Sequence, residues 1–289
     1  MSLKIVFMGT PEFSVPTLKL LIENKFNILS VYTQPPKKSK RGQKPNSSPV
    51  EIFCRENKIN YRNPKNINSD EELKILKDLS PDVVVVVAYG QIISKFFLSV
   101  AKFGFINIHA SLLPKWRGAA PIQRAIMNKD KKIGVSIMKI EEKLDMGPIC
   151  NSYKLKILDN ENAEVISEKL SSLAAEKILD NIDSILSNKA TFVNQDNKEA
   201  SYAKKIKKSE GKINWNEKAE IIIGKINGLY PSPGAWFLYN NQRYKVLKAE
   251  IGNGNGTPGL VINDYLEICC KNKSIKILEI QRQGKRPQN

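Results

Sequence analysis

The sequence predicts an α/β protein with a Rossmann-like, doubly wound, mostly parallel sheet, followed by a smaller C-terminal β-barrel domain of OB-like type. Three observations lead to this fold. Residues 83–87 are five consecutive valines, and a strand without polar alternation is typical of a parallel sheet covered on both faces. Strand and helix patterns alternate through residue 188. After Asn188 the pattern changes to short strands separated by Gly, Asn and Pro turns.

The N-terminal part alternates buried strands with helices. "KIVFM" predicts the first strand, and a helical pattern follows from Val15 to Glu23. Ser48 and Pro49 are a typical helix start, so "SPVEIFCREN" predicts a second helix. Further strands are predicted at "NILSVYT", "DVVVVVAYG", "GFINIHA" and "IGVSIMKI", and further helices at "DEELKILKDL", at "PIQRAIMNK" and over residues 162–186.

The C-terminal part begins with one helix near "KAEIIIGKIN". "WFLYNNQRYKVLKAEI" predicts a hairpin that turns at Asn240 and Asn241. "GLVINDYLEICCKNKSIKILEI" predicts two or three more strands. We therefore expect a first domain over residues 1–188, a linker over 189–205 and a barrel domain over 206–289.

The chain is strongly basic, with a formal net charge of +17 from 46 Lys+Arg and 29 Asp+Glu. The excess is concentrated at the end, where residues 201–289 hold 16 basic and 7 acidic residues. The positive electrostatic field of so many basic residues attracts polyanions, of which nucleic acid is the first to consider. A general lysine richness without such a partner is the alternative.

Other function classes find little support in the sequence. No stretch has the roughly 20 apolar residues of a membrane span, and the start "MSLKIVFMGTPEF" lacks an export signal. We expect a cytoplasmic protein without membrane contact, and a monomer, since there is no apolar seam. Four cysteines without a CxxC pair predict neither disulfides nor a zinc site. "MGTPEF" lacks the full GxGxxG pattern of dinucleotide binding.

The only histidine of the chain lies in "NIHASLLP", at the end of a predicted strand. Alternation places Asn107 and His109 on the same side, at the sheet edge where α/β proteins bind ligands. An amide donor beside an imidazole suits acyl transfer. Asp145 in "KLDMG" is the best candidate to orient the imidazole. A structural histidine beside a turn aspartate is the open alternative.

The stretch "NIHASLLPKWRGAAPIQRAI", together with "MGTPEFSVPTL", "SPV", "VVVAYG" and "LDMG", resembles the methionyl-tRNA formyltransferase family over nearly the whole chain. The resemblance implies transfer of a formyl group from 10-formyltetrahydrofolate to the α-amino group of methionine on initiator methionyl-tRNA, without a metal. It also implies a Rossmann-like catalytic domain in residues 1–188 and a tRNA-binding domain in residues 206–289.

The resemblance assigns residues to the site. Asn107, His109 and Asp145 correspond to the catalytic constellation. The implied folate-binding residues are Ser111, Leu112, Leu113 and Pro114, together with the backbone near Tyr89, Gly90 and Gln91 and near Glu142 to Leu144. The sequence departs from the family at Ala110, at Lys143 in place of a usual glycine, and at its end, where we expect a shortened last barrel element.

The segment "TQPPKKSKRGQKPNSS" contains five basic residues and no acidic one: Lys37, Lys38, Lys40, Arg41 and Lys44. Prolines and a glycine predict a surface loop, and a solvated charge run is the simplest interpretation. In the family this insertion meets the top of the acceptor stem. The resemblance therefore implies contacts with initiator tRNA, with Arg41 the strongest candidate.

Several alternatives stay open. A formyltransferase of the same fold could act on glycinamide ribonucleotide, although such an enzyme usually lacks the extra barrel, or on an amino sugar nucleotide, which would not require the basic loop or the basic tail. A hydrolase that releases formate would need no tRNA. A non-catalytic RNA-binding protein on the same fold would explain the charge but not the joint presence of Asn107, His109 and Asp145.

Overall fold

The computed structural model describes residues 3–38 and 45–288. The chain forms two compact units. Unit 1 spans Met1–Arg117, Gly134–Lys154 and Glu168–Ser201, and unit 2 spans Gly118–Ile133, Leu155–Ser167 and Tyr202–Asn289. The three-part division expected from the sequence, with boundaries at residues 188 and 206, stays a prediction.

A seven-stranded sheet provides the frame of unit 1, in the order β10-β9-β7-β6-β1-β2-β5. The strands in the chain through this region are β1 (Lys4–Gly9), β2 (Asn27–Tyr32), β3 (Lys37–Lys38), β4 (Pro45–Asn46), β5 (Tyr61–Arg62), β6 (Val83–Val87), β7 (Phe105–His109), β8 (Arg117–Gly118), β9 (Lys132–Lys139) and β10 (Ile149–Lys156). Neighbours from β7 to β5 are parallel, and β9 runs antiparallel to β7. The predicted mostly parallel sheet is confirmed.

Helices alternate with these strands as the sequence predicts. They are α1 (Val15–Glu23), α2 (Pro49–Glu56), α3 (Asp70–Leu79), α4 (Lys95–Leu98), α5 (Pro121–Met127) and α6 (Ala163–Leu186). Ser48 caps α2 by accepting a hydrogen bond from the Glu51 N–H, and Ser69 caps α3 by accepting from the Glu72 N–H. Local capping chemistry thus sets these two starts.

The five valines of β6 are buried, and with them the centre of the sheet. One core cluster joins alternate residues of β1 and β6 to Tyr32, Leu76 and Phe105. Continuous burial on both faces explains why this strand lacks polar alternation. The parallel pairing of β6 with β7 places the ends of these two strands side by side, where the candidate site lies.

Unit 2 contains the predicted smaller β domain. Its four-stranded antiparallel sheet has the order β12-β13-β15-β14 and forms a half-barrel. The elements are β11 (Tyr202–Ala203), α7 (Ala219–Leu229), β12 (Ala235–Tyr239), β13 (Gln242–Gly252), β14 (Glu267–Cys269) and β15 (Ser274–Arg282). Asn240 and Asn241 both have positive φ, as a tight hairpin turn requires. Apolar residues of α7 pack on the sheet.

A double hydrogen bond between Arg124 and Glu210 ties α5 to the C-terminal segment within unit 2. Arg124 Nη1 donates to Glu210 Oε2 over 2.6 Å, and Arg124 Nη2 donates to Glu210 Oε1 over 3.1 Å. The Arg124 hydrogen bond holds the pKa of the Glu210 carboxyl below its usual value. The ionised carboxylate therefore stabilises the fold at neutral pH.

We expect Glu210→Gln to lower the free energy of unfolding by about 1 kcal/mol at pH 7, because a two-point ion pair is lost. The difference from the wild-type protein should shrink as the pH falls from 4.5, where the carboxyl of the unfolded wild-type chain takes up its proton, through the lower pKa of the folded protein. Urea unfolding at a series of pH values measures both effects. A difference that grows toward acid pH would contradict the assignment.

No helix among the described residues combines the length and apolar character needed to cross a membrane. The four cysteines are free thiols, and burial raises the pKa of Cys54 to about 12 and that of Cys270 to about 11. Such thiols stay protonated at neutral pH and act as packing residues.

Candidate active site

Strand β7 places Asn107 and His109 at an edge of the large sheet. Asn107 lies opposite Val86 of β6 and Met138 of β9, and His109 lies opposite Ser136 of β9. Two residues separated by one position in a strand share a face. The structure therefore brings the amide and the imidazole to the same side, as the sequence predicts.

The imidazole of His109 is buried and has a polar neighbour at each ring nitrogen. Its Nδ1 lies 3.7 Å from Oδ2 of Asp145, and its Nε2 lies 3.0 Å from the backbone O of Trp116. A carbonyl oxygen only accepts, so Nε2 is the donor in that bond. The Nδ1 to Oδ2 distance is longer than a hydrogen bond, so Asp145 faces the ring as a nearby charge.

The backbone of Trp116 is the partner that the sequence did not reveal. We expected Asp145 to orient the imidazole, whereas the hydrogen bond that the ring makes is donated by Nε2 to Trp116 O. Trp116 adopts a left-handed backbone with φ 63°, and its N–H donates to Ser201 Oγ over 3.0 Å. No residue type signals a backbone acceptor, so this contact could only be found in the structure.

The side chain of Asn107 is half-buried. Its amide forms no hydrogen bond with the residues that the structure describes. Asn107 therefore offers two N–H donors on the face of β7 that it shares with His109, whose Nδ1 lies near the carboxylate of Asp145. Donors with this placement can stabilise an oxygen that gains negative charge.

The predicted folate-lining segment 111–114 divides into support and surface. Ser111 is fully buried, and its Oγ donates to Lys115 O over 2.6 Å, which closes the loop. The N–H of Leu113, which is also buried, donates to Ser136 Oγ over 3.1 Å. Leu112 and Pro114 are only half-buried. Of the four residues, these two have side chains that are available to a ligand.

The predicted pterin-binding turn at residues 89–91 uses its side chains internally. Tyr89 is buried in the core, and burial raises its pKa, so it stays a neutral phenol. Gln91 Oε1 accepts from the Ile67 N–H over 2.9 Å, and its Nε2 donates to Pro64 O over 3.1 Å. Gly90 has φ 86°, a left-handed conformation that favours glycine. The backbone O of Tyr89 accepts from Thr10 Oγ1 and from Gln34 Nε2, so this turn offers a ligand the backbone of Gly90 and Gln91.

A second turn carries Asp145. Leu144 is 59% exposed, and Asp145 itself has a left-handed backbone with φ 51°. Lys143, at the position where the resemblance implies a glycine, is outside the left-handed region, so the turn accepts a lysine there. A Cβ on Gly147 would lie 2.0 Å from the backbone O of Lys139. Gly147 therefore permits close packing of this turn on β9.

The predicted tRNA-binding segment is described only in part. Lys37 and Lys38 form β3, which pairs antiparallel with β4 in the register Lys37 with Asn46 and Lys38 with Pro45. Lys40, Arg41 and Lys44 lie outside the described residues. Among the residues that are described, no cluster of three or more His, Cys, Asp or Glu side chains could hold a metal ion.

Comparison with known proteins agrees with this geometry. The formyl transferase family model matches residues 3–182, and the model of the formyl transferase C-terminal domain matches residues 205–289. The methionyl-tRNA formyltransferase of Pelagibacter ubique is 62% identical over 291 aligned residues, which cover 100% of this chain and 94% of that protein.

Two solved structures share the fold at low identity. A sugar 3N-formyl transferase, WlaRD, has a TM-score of 0.73 and 21% identity, and the match covers 99% of this chain and 100% of that one. A methionyl-tRNA formyltransferase from Clostridium thermocellum has a TM-score of 0.60 and 20% identity, covering 88% and 95%. Differently named formyl transferases thus share this fold, so the fold alone does not distinguish between them. The 62% sequence identity to the Pelagibacter relative does. The chain belongs to the methionyl-tRNA formyltransferase family.

Proposed function

We propose that this chain transfers the formyl group of 10-formyltetrahydrofolate to the α-amino group of methionine on initiator methionyl-tRNA, which gives N-formylmethionyl-tRNA for translation initiation. The observation that carries the proposal is the 3.7 Å approach of Asp145 to His109, which shares a face of β7 with Asn107, in a chain 62% identical to a methionyl-tRNA formyltransferase. An amide donor, an imidazole and a carboxylate are the groups that this transfer requires.

Asn107 acts on the oxygen of the formyl group. When the methionine nitrogen attacks the formyl carbon, that oxygen becomes an oxyanion of the tetrahedral intermediate. The side-chain N–H groups of Asn107 donate to it, and protonated His109 adds positive charge close by. His109 keeps its ring orientation through the hydrogen bond from Nε2 to Trp116 O.

Asp145 and His109 carry out the proton transfers of the reaction. The new bond joins the methionine nitrogen to the formyl carbon, and the bond that breaks joins this carbon to N10 of the folate. The attacking amine loses one proton, and the departing N10 gains one. Asp145 lies beside the imidazole, so the pair can take up the first proton and return the second. The net reaction is balanced without a metal.

The folate donor is assigned to the surface around the histidine loop. Leu112, Pro114 and Leu144 offer apolar side chains that suit a flat pterin. The backbone of Gly90 and Gln91 offers polar groups for the edge of the pterin ring, since the backbone O of Tyr89 is used within the protein. Ser111 and Leu113 act through the loop that they stabilise.

The tRNA is assigned to the basic segment at residues 37–44 and to residues 206–289. We propose that residues 1–188 carry the catalytic reaction, that 189–205 link the domains and that the basic C-terminal part binds phosphates. A basic segment can select the initiator tRNA because unpairing a weak stem end costs less free energy than unpairing a full base pair.

Replacement of Arg41 by Ala is expected to lower kcat/KM for initiator methionyl-tRNA about tenfold or more, since a charge-assisted hydrogen bond to phosphate contributes about 1.5–3 kcal/mol. Steady-state formylation over a range of tRNA concentrations measures the effect. The Michaelis constant for the folate donor is the internal control. An equal loss for both substrates would assign Arg41 a structural role.

The proposed activity is tested by incubation with 10-formyltetrahydrofolate and charged initiator tRNA, followed by ester hydrolysis and detection of N-formylmethionine. Parallel reactions contain an amino sugar nucleotide, glycinamide ribonucleotide or no acceptor. Formylation of the tRNA alone is the expected result. Preferred formylation of either small acceptor, or release of formate without one, would identify a different enzyme, and RNA binding without either would indicate a non-catalytic protein.

A further inference from the structure

Arg117 is a buried cation with neutral partners. Its side chain is the largest of those that are fully buried, with 1% exposure. Nε and Nη2 donate to Gln195 Oε1 over 3.0 and 2.7 Å, and Nη1 donates to Asn197 Oδ1 over 3.0 Å. Within the described part of the chain, no carboxylate forms an ion pair with it. A guanidinium buried on neutral acceptors is costly, so it calls for a role.

Gln195 passes this interaction on to the turn that carries Asp145. Gln195 Nε2 donates to Asp145 O over 2.9 Å and to Gly147 O over 2.8 Å. Arg117 only donates and the two carbonyls only accept, so the orientation of the amide is determined by its partners. Both donors and the oxygen of this amide are used.

We infer that Arg117 and Gln195 are positioning residues that hold Asp145 beside His109. The catalytic meaning of this inference rests on the function proposed above. Asp145 has φ 51°, a left-handed conformation that is uncommon for residues other than glycine. It persists where surrounding contacts hold it, and Gln195 binds the carbonyl of this same residue.

Two consecutive residues, Trp116 and Arg117, hold the two members of the active-site pair, His109 and Asp145. Trp116 O accepts from His109, and the next residue, Arg117, holds Asp145 through Gln195. One short segment therefore sets the positions of both the imidazole and the carboxylate. A displacement of this segment would change the Nδ1 to Oδ2 separation, which is now 3.7 Å.

Gln195→Glu is the sharpest test, because the two side chains have the same shape. A carboxylate still satisfies Arg117, but its second oxygen faces two carbonyl oxygens and has no proton to donate. Asp145 therefore loses its anchor while Arg117 keeps a partner. We expect turnover to fall about 10- to 100-fold, and the Michaelis constant for tRNA to change less than twofold.

A spectroscopic readout separates positioning from general stability. His109 is the only histidine, so one Hε1–Cε1 NMR signal reports its surroundings. At a fixed pH, Gln195→Glu should shift this signal in the same direction as Asp145→Asn. In the Asp145→Asn background, Gln195→Glu should move the signal no further and lower turnover less than twofold, since both changes act through one group.

The matched control is Gln281→Glu. Gln281 Nε2 also donates to a backbone oxygen, that of Lys285, over 2.9 Å, and this change should leave the His109 signal in place. If Gln195→Glu fails to fold, Gln195→Met is measured against the same criteria. A folded variant with the wild-type His109 signal and turnover would overturn the inference. The NMR signal needs no substrate, so its shift in Gln195→Glu supports the positioning role whether or not the wild-type protein formylates tRNA. A wild-type protein that does not formylate tRNA would reject the proposed function alone.

Discussion

Replacement of Asn107 by Ala is expected to lower kcat for tRNA formylation about 100- to 1000-fold, the usual loss for one oxyanion donor. The amide lies on the same face of β7 as His109 and has no hydrogen-bond partner among the described residues. Its loss therefore removes an interaction made in the transition state. Single-turnover kinetics with saturating substrates measure the chemical step directly.

The control for this variant is Asn24→Ala. Asn24 is an exposed asparagine at the end of α1, and its amide donates to Leu20 O. It should retain wild-type turnover. Near-normal single-turnover rates in Asn107→Ala would refute its role. A large rise in the Michaelis constant for folate with unchanged kcat would make Asn107 a ground-state binding residue instead.

Replacement of His109 by Gln is expected to lower kcat about 100- to 10,000-fold, the range for loss of a general acid or base. The chain has one histidine, so no second imidazole can substitute. Glutamine keeps an N–H donor of the kind that Trp116 O accepts, but it cannot carry a proton between the amine and N10. The same single-turnover assay gives the rate.

Two further measurements frame this result. Circular dichroism should match the wild-type protein, and the unfolding temperature should fall only slightly, because glutamine keeps a donor for Trp116 O at this buried position. A variant that folds normally and turns over at the wild-type rate would make His109 a structural residue. That outcome would also remove the reason to place Asp145 in the mechanism.

The local elements were accessible from the sequence. The helical pattern at Val15–Glu23 indicated α1, and the start of α2 at Pro49 depends on the neighbouring cap Ser48. The hairpin at Asn240 and Asn241 depends on two residues that tolerate positive φ. The five valines indicated a strand covered on both faces because burial leaves no place for alternation.

Strand order and direction needed the structure. The sequence indicates that "IGVSIMKI" is a strand, but nothing in it says that β9 runs antiparallel to β7. The pairing of distant strands is decided by packing over the whole sheet. This register is what places Ser136 opposite His109 and lets its hydroxyl accept from the Leu113 N–H.

In the site, residue types and resemblance indicated the chemistry, since Asn, His and Asp at these positions suit acyl transfer. The tertiary structure decided which atoms meet: Trp116 O holds the imidazole, and Gln195 holds the turn of Asp145. It also showed that the side chains of Ser111 and Gln91 form hydrogen bonds within the protein. The physical reason is that a hydrogen bond between residues far apart in the sequence depends on which segments the fold brings together. Every residue has a backbone oxygen, so the sequence does not mark the one that accepts the bond.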